Sequence, residues 1–283
     1  PKLGLGTGTL ASLGRKSSVP ELVRLLDVMS ETESMLIDTA DSYGSGDCEI
    51  LIGKALRLHG ESCQLITKAG YRYANMPGLL RPLNQFAKKA MHRLGDRQRF
   101  APDYLVRSLE GSLSRLQVPK VDAFLLHDPD LEVLQNDDVL GTCQSLKESG
   151  KAACLGVSSS NPTVVRAAID LGVFSVIQTP ANIAVFNSLH ESWARCANNG
   201  MHVIGNYVFA PNCLQLPTMN HETLLRACAG YLPVNSTILC GTRKPSHLKQ
   251  SANWAHEAMP GEDANALVHR FFPRGDEMHS TRF

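Results

Sequence analysis

The feature that most constrains this chain is an alternation repeated eight times: a short apolar run bounded by turn residues, then a segment of helical period. The runs are Lys2–Gly6, Met35–Asp38, Gln64–Lys68, Val121–His127, Ala153–Ser158, Ser175–Gln178, His202–Gly205 and Thr237–Gly241. The helical segments are Pro20–Met29, Cys48–Leu58, Pro102–Leu116, Val139–Ser149, Pro162–Leu171, Ser188–Asn199, His221–Ala229 and Pro245–Ala258. Proline opens several helices, where its missing N–H is harmless, and Gly150, Gly172 and Gly200 follow three others as helix stops. Runs such as Val121-Asp122-Ala123-Phe124-Leu125-Leu126 lack alternating polarity, which suits parallel strands covered by helices. Strict alternation leaves a closed barrel or a doubly wound open sheet. The first turn, Gly4-Leu5-Gly6-Thr7-Gly8-Thr9, has no G-x-G-x-x-G spacing and no helix directly after it. The pattern therefore predicts a single α/β domain over residues 1–283, a (β/α)8 TIM barrel.

Composition narrows the partner. The chain carries 28 Lys+Arg against 27 Asp+Glu, so no global field favours nucleic acid or an acidic membrane, and a small molecule is expected. No apolar stretch is long enough to span a bilayer. The eight cysteines are dispersed without a C-x-x-C pair, and several sit inside apolar runs. Free thiols in a reducing cytoplasm are the expectation. The histidines show no metal-ligand spacing with Cys or Asp, so no metal is expected.

One connection breaks the rhythm. Between the third strand and its helix lie roughly thirty residues, Ala69 to Ala101, against the usual two to six or so. Arg72, Arg81, Lys88, Lys89, Arg93, Arg97 and Arg99 make this stretch basic. It reads as a substrate-bounding loop with a short helix near Leu83–Arg93.

Four polar residues fall at or just past the ends of consecutive strands: Asp38 closes the second, Tyr43 lies just beyond it, Lys68 closes the third and His127 the fourth. In a barrel these ends form the face where catalysis occurs. Neighbouring strands lie about 4.8 Å apart, so the side chains can meet. A phenol has a pKa of about 10, and lowering it by two to three units takes roughly 3–4 kcal/mol. An ammonium about 4 Å away at an effective dielectric near 20 supplies about that much. Lys68 is thus expected to acidify Tyr43, with Asp38 holding Lys68 charged and His127 orienting a carbonyl. Such a set protonates a carbonyl oxygen as its carbon gains a hydride, or runs in reverse.

The stretch Asp38-Thr39-Ala40-(x)2-Tyr43-Gly44, then Glu49-(x)3-Gly53-(x)2-Leu56, Thr67-Lys68 and Val121-Asp122-(x)3-Leu126-His127, resembles the aldo-keto reductases. The likeness runs from Leu3-Gly4-Leu5-Gly6-Thr7 to Gly241-Thr242 and the helix after it. It implies a catalytic tetrad of Asp38, Tyr43, Lys68 and His127 with Tyr43 as proton donor. It also implies an extended nicotinamide cofactor, usually NADPH, with NAD less favoured. Gly6, Thr7, Ser158, Ser159 and Gln178 fall at implied cofactor positions, and Asn182 fits an asparagine often found nearby. Ser159 stands where the family has asparagine, and Asn206 stands where it commonly has a stacking tyrosine. Tyr207, one residue on, would face the opposite way on a strand. Gly241, Thr242, Arg243, Lys244, His247, Lys249 and Gln250 fall where the family grips the adenosine phosphates, at a helix start suited to an anion. Two other readings remain: Lys68 as the Schiff-base lysine of a barrel lyase, and a non-catalytic protein that senses nicotinamide redox state.

Overall fold

The computed structural model describes residues 1–12, 15–32, 35–72 and 98–273. Eight parallel strands close on themselves: β1 (Lys2–Gly6), β2 (Leu36–Asp38), β3 (Gln64–Ala69), β4 (Val121–His127), β5 (Ala152–Ser158), β6 (Val176–Pro180), β7 (His202–Asn206) and β8 (Thr237–Cys240). Each pairs with its sequence neighbours, and β1 closes the ring against β8 through Lys2↔Thr237 to Leu5↔Cys240. The helices between them are α1 (Val19–Glu31), α2 (Asp47–His59), α3 (Pro102–Leu116), α4 (Asp137–Glu148), α5 (Pro162–Asp170), α6 (Phe186–Asn198), α7 (His221–Tyr231) and α8 (Pro245–His256). The expected (β/α)8 barrel is therefore the fold, with element bounds within about two residues of those expected.

Local chemistry explains the boundaries. Ser18 and Glu21 form a reciprocal capping box at the start of α1, beside Pro20. Asn136, Asn161 and Asn220 accept backbone N–H bonds at the starts of α4, α5 and α7. The sequence reading lacks a short antiparallel ribbon pairing Ala11–Ser12 with Arg15–Lys16, single helical turns at Leu131–Leu134 and Pro211–Leu214, and a last helix α9 (Gly261–Phe271). The helix expected near Leu83–Arg93 lies outside the described residues.

The barrel interior decides where the site sits. Leu36, Ile66, Ala123, Leu125, Val176, Ile204 and Leu239 point inward and pack on one another. Side chains on a strand alternate, so the next inward positions up the same strands are Asp38, Lys68, His127, Gln178 and Asn206. The polar site is the storey above an apolar floor. Gly156 makes room within that floor, because a Cβ there would come within 2.4 Å of Leu125 Cδ2 and the Val176 carbonyl oxygen.

Outside the barrel, α2 docks on the end of α3. A Cβ at Gly53 would lie 2.6 Å from the Leu116 carbonyl oxygen, so the helices approach as closely as they do only because residue 53 is glycine. One turn earlier, Glu49 is fully buried and accepts from Arg115 Nε at 2.7 Å and Thr67 Oγ1 at 2.6 Å. The spacing Glu49-(x)3-Gly53 thus presents one helix face that bonds both β3 and α3.

Candidate active site

Each member of the constellation is placed by its own strand. Asp38 ends β2, where its backbone carbonyl accepts from the Thr7 hydroxyl at 2.8 Å. Lys68 pairs in register with Leu125, and His127 with Ser158. Tyr43 lies past β2 in a short 3-10 turn, Tyr43–Gly46, in which Gly44, Ser45 and Gly46 all take left-handed backbone angles. Gly44 is required there, since a Cβ would meet Ala11 Cβ at 2.5 Å.

The four expected residues do converge. Lys68 Nζ donates to Asp38 Oδ1 at 2.5 Å, with the lysine side chain fully buried. The same ammonium lies 5.1 Å from the centroid of the Tyr43 ring. The rings of Tyr43 and His127 meet edge to face at 6.0 Å. Gln178 Nε2 donates to Asp38 Oδ1 at 2.7 Å, and its own Oε1 accepts from the Ser158 hydroxyl at 2.7 Å. Ser158, Gln178, Asp38 and Lys68 therefore form one buried chain of hydrogen bonds.

Electrostatics correct one expectation. The Tyr43 phenol is held well above its ordinary range, first by burial and then by the Asp38 carboxylate. Burial pushes the Lys68 ammonium down, against the upward pull of Asp38. The expected acidification of the phenol by Lys68 is outweighed by burial and by Asp38, which bonds that ammonium at 2.5 Å and offsets its charge. Tyr43 is a firmly protonated donor at neutral pH.

A cleft of about 320 Å³ opens above this chain, lined by Ser42, Tyr43, Tyr71, His127, Asp128, Ser158, Ser159, Ser160, Gln178, Pro180, Asn206 and Tyr207. Tyr207 belongs to it, contrary to the strand-alternation argument: β7 ends at Asn206, and Tyr207 takes a left-handed φ of 50°. Alternation stops where the strand does. The sequence reading gives no role to Tyr71 or Asp128, which also line the cleft. The Tyr71 ring meets His127 edge to face at 4.7 Å, and its hydroxyl donates to Asp128 Oδ2 at 2.8 Å. Their signal in the sequence was adjacency: Asp128 directly follows His127, and Tyr71 lies just past Lys68 on the same mouth.

The cofactor positions divide. Ser158, Ser159 and Asn206 face the cleft, and Asn206 Oδ1 is buried with no hydrogen-bond partner among the described residues. A primary carboxamide fits that set of hydroxyls and a vacant acceptor. Gln178 has both ends of its amide engaged, so a carboxamide would compete with Ser158 for its oxygen. Asn182 is spent on the loop, donating to the Tyr207 carbonyl and accepting from Ala184 N–H. At the far end of the mouth, Gly6 and Gly241 face each other, a Cβ on Gly241 meeting only the Gly6 carbonyl oxygen at 3.7 Å. Thr242 Oγ1 accepts from Lys244 N–H, and α8 starts with no side-chain cap on its free N–H groups. His247 and Gln250 are exposed on α8, the Arg243 guanidinium donates to the Thr9 carbonyl, and Lys249 pairs with Glu31 at 2.9 Å. Of the basic loop, Arg72 and Arg99 lie among the described residues, and Arg99 Nη2 lies 3.6 Å from Asp103 Oδ2. No group of three or more metal-ligating side chains occurs among the described residues.

Comparison with known proteins agrees with this fold. The chain is 29% identical over 189 residues to the aldo-keto reductase YhdN of Bacillus subtilis, covering 64% of this chain and 50% of that protein. It is 31% identical over 160 residues to human aflatoxin B1 aldehyde reductase member 2, covering 56% and 38% respectively. The matched region thus spans half or less of these relatives' length. The fold resembles that of an aldo-keto reductase from Klebsiella pneumoniae in complex with NADPH, with a TM-score of 0.69, 21% identity, and coverage of 96% of this chain and 91% of that one. The model of the aldo/keto reductase family matches residues 2–215, and the chain belongs to that family.

Proposed function

We propose that the chain is an NADPH-dependent oxidoreductase that reduces an aldehyde or ketone to an alcohol, or runs the reverse reaction. The observation that carries this reading is the fully buried Lys68–Asp38 pair set beneath the Tyr43 ring, with His127 across the cleft. A bound nicotinamide, when reduced, supplies the hydride. The protein's part is the proton and the geometry. Tyr43 holds its proton tightly until negative charge builds on a carbonyl oxygen nearby, and then donates it. His127, braced by Tyr71, orients that oxygen. Lys68 and Asp38 form a fixed dipole that needs no reorganisation during the reaction.

The NADPH-bound relative of this fold and the aldehyde reductase among the relatives support the cofactor and the substrate class. Ser158, Ser159 and Asn206 would receive the nicotinamide end. Gly241, Thr242, Arg243, Lys244 and the start of α8 would receive the phosphates, with Lys244 exposed for a 2′-phosphate. Geometry disfavours the Schiff-base reading: Lys68 is sealed from the cleft and its amine is committed to Asp38.

Tyr43→Phe tests the assignment. Carbonyl reduction should fall by about 10²–10⁴-fold while NADPH affinity, read by fluorescence titration, stays within about threefold. Unchanged turnover would end the proton-donor assignment. Tight NADPH binding by the wild type without turnover on a broad carbonyl panel would favour a redox-sensing protein instead.

A further inference from the structure

Behind the tetrad lies a second set of buried charged groups that the proposed chemistry does not use. Asp41 is fully buried, two residues before Tyr43. Its backbone N–H donates to the Lys68 carbonyl at 3.1 Å, joining the loop to the end of β3. Its Oδ2 accepts from the Ser108 hydroxyl on α3. Its Oδ1 is buried with no hydrogen-bond partner among the described residues. A carboxylate in that position is expensive to ionise. The charged groups that face it are Glu49 of α2 and Arg115 of α3, and Arg115 Nε is already committed to Glu49 at 2.7 Å. On the barrel side it faces Lys68, whose ammonium is bonded to Asp38 at 2.5 Å. The loop is sewn to α3 a second time at Gly46, where a Cβ would meet Arg115 Cδ at 2.9 Å.

We propose that Asp41 is a positioning residue: its side-chain anchor on Ser108 and its backbone bond to the Lys68 carbonyl fix the loop that carries Tyr43 against α3 and β3. The inference rests on the carbonyl-reductase reading of the tetrad. The bond from Ser108 is strongest when the acid is ionised, so the hold on the loop depends on pH without touching substrate. Burial, with Glu49 adding to it and Ser108 and Arg115 opposing it, pushes the Asp41 carboxyl up to about 7. Its charge therefore changes within the physiological range.

The test compares the full-length wild type, Asp41→Asn and Ser108→Ala. Carbonyl reduction and NADPH affinity are each measured from about pH 5.5 to about pH 9. In the wild type kcat should climb about fivefold through a midpoint near neutrality, as Asp41 ionises and its bond from Ser108 becomes charge-assisted, holding the Tyr43 loop in place. Asp41→Asn should stay at the low level throughout. Ser108→Ala should flatten the climb and move what remains of it to higher pH, because the carboxylate loses the bond that favours its charge. NADPH affinity should differ little among the three, since neither residue lines the cleft. A climb retained unshifted in either variant overturns the proposal, and Ser108→Ala decides alone if Asp41→Asn does not fold. Should the wild type reduce no carbonyl, the functional reading has failed but the Asp41 inference remains decidable. NMR of 13C-labelled tyrosine would then have to show the Tyr43 ring signal shifting through neutral pH in the wild type and staying still in Asp41→Asn, and equal behaviour in the two overturns it.

Discussion

Tyr43 shows how far a residue's identity goes and where it stops. That a phenol, an ammonium, a carboxylate and an imidazole meet at one mouth was legible from four positions at strand ends. The sign of the phenol's shift was not. It depends on how deeply the ring is buried and on the Asp38 carboxylate that offsets the Lys68 charge, neither of which a local pattern encodes. Asp41 carries a prediction at the same scale. Its folded-state carboxyl is raised from 3.8 to about 7, so the folded chain holds this proton longer than the unfolded one. The associated stability is fully present below about pH 4 and is lost as pH rises to about 7, at up to ~1.4 kcal/mol per pH unit. Urea unfolding of the wild type against Asp41→Asn should therefore show the wild type losing ground across that window, on the order of 4 kcal/mol in all. A difference that is flat with pH would mean Asp41 is already ionised in acid.

At the scale of elements, sequence spacing translated almost directly into helices and strands because caps, prolines and terminal glycines mark their own boundaries. What it left open was which faces meet. Glu49 and Gly53 read as motif letters until α2 is seen lying on the end of α3, with Thr67 and Arg115 both bonded to Glu49. Gly53→Ala should cost about 1–3 kcal/mol, because the new methyl has only backbone to press on and the helices must part. Thermal unfolding measures this. A stability equal to the wild type would show that the α2–α3 contact is looser than 2.6 Å to the Leu116 carbonyl implies. Tyr207 marks the opposite limit. Its direction could not be taken from strand periodicity, since the strand had ended one residue earlier.

For the whole molecule, closure of β1 on β8 brings residues as far apart in sequence as Gly6 and Gly241 to one rim. Of the eight free cysteines, six are buried, while Cys63 and Cys154 are half-buried. Burial also pushes Cys63 up to about 11 and Cys143 up to about 12. Ellman's reagent at mildly alkaline pH should thus label at most two thiols of the native chain, and slowly, against all eight in concentrated guanidinium. Rapid labelling of more than two without denaturant would contradict the packing of helices around the barrel. The sequence by itself determined the alternation, the barrel, the mouth on which the tetrad stands and the family the chain resembles, because hydrophobic period and turn chemistry are local properties. The tertiary structure decided the partners. It gave Lys68 to Asp38, tied Gln178 into the tetrad, brought Tyr71, Asp128 and Tyr207 to the cleft, and left Asp41 buried behind it. Burial and charge pairing depend on distances between strands and helices that no local pattern encodes.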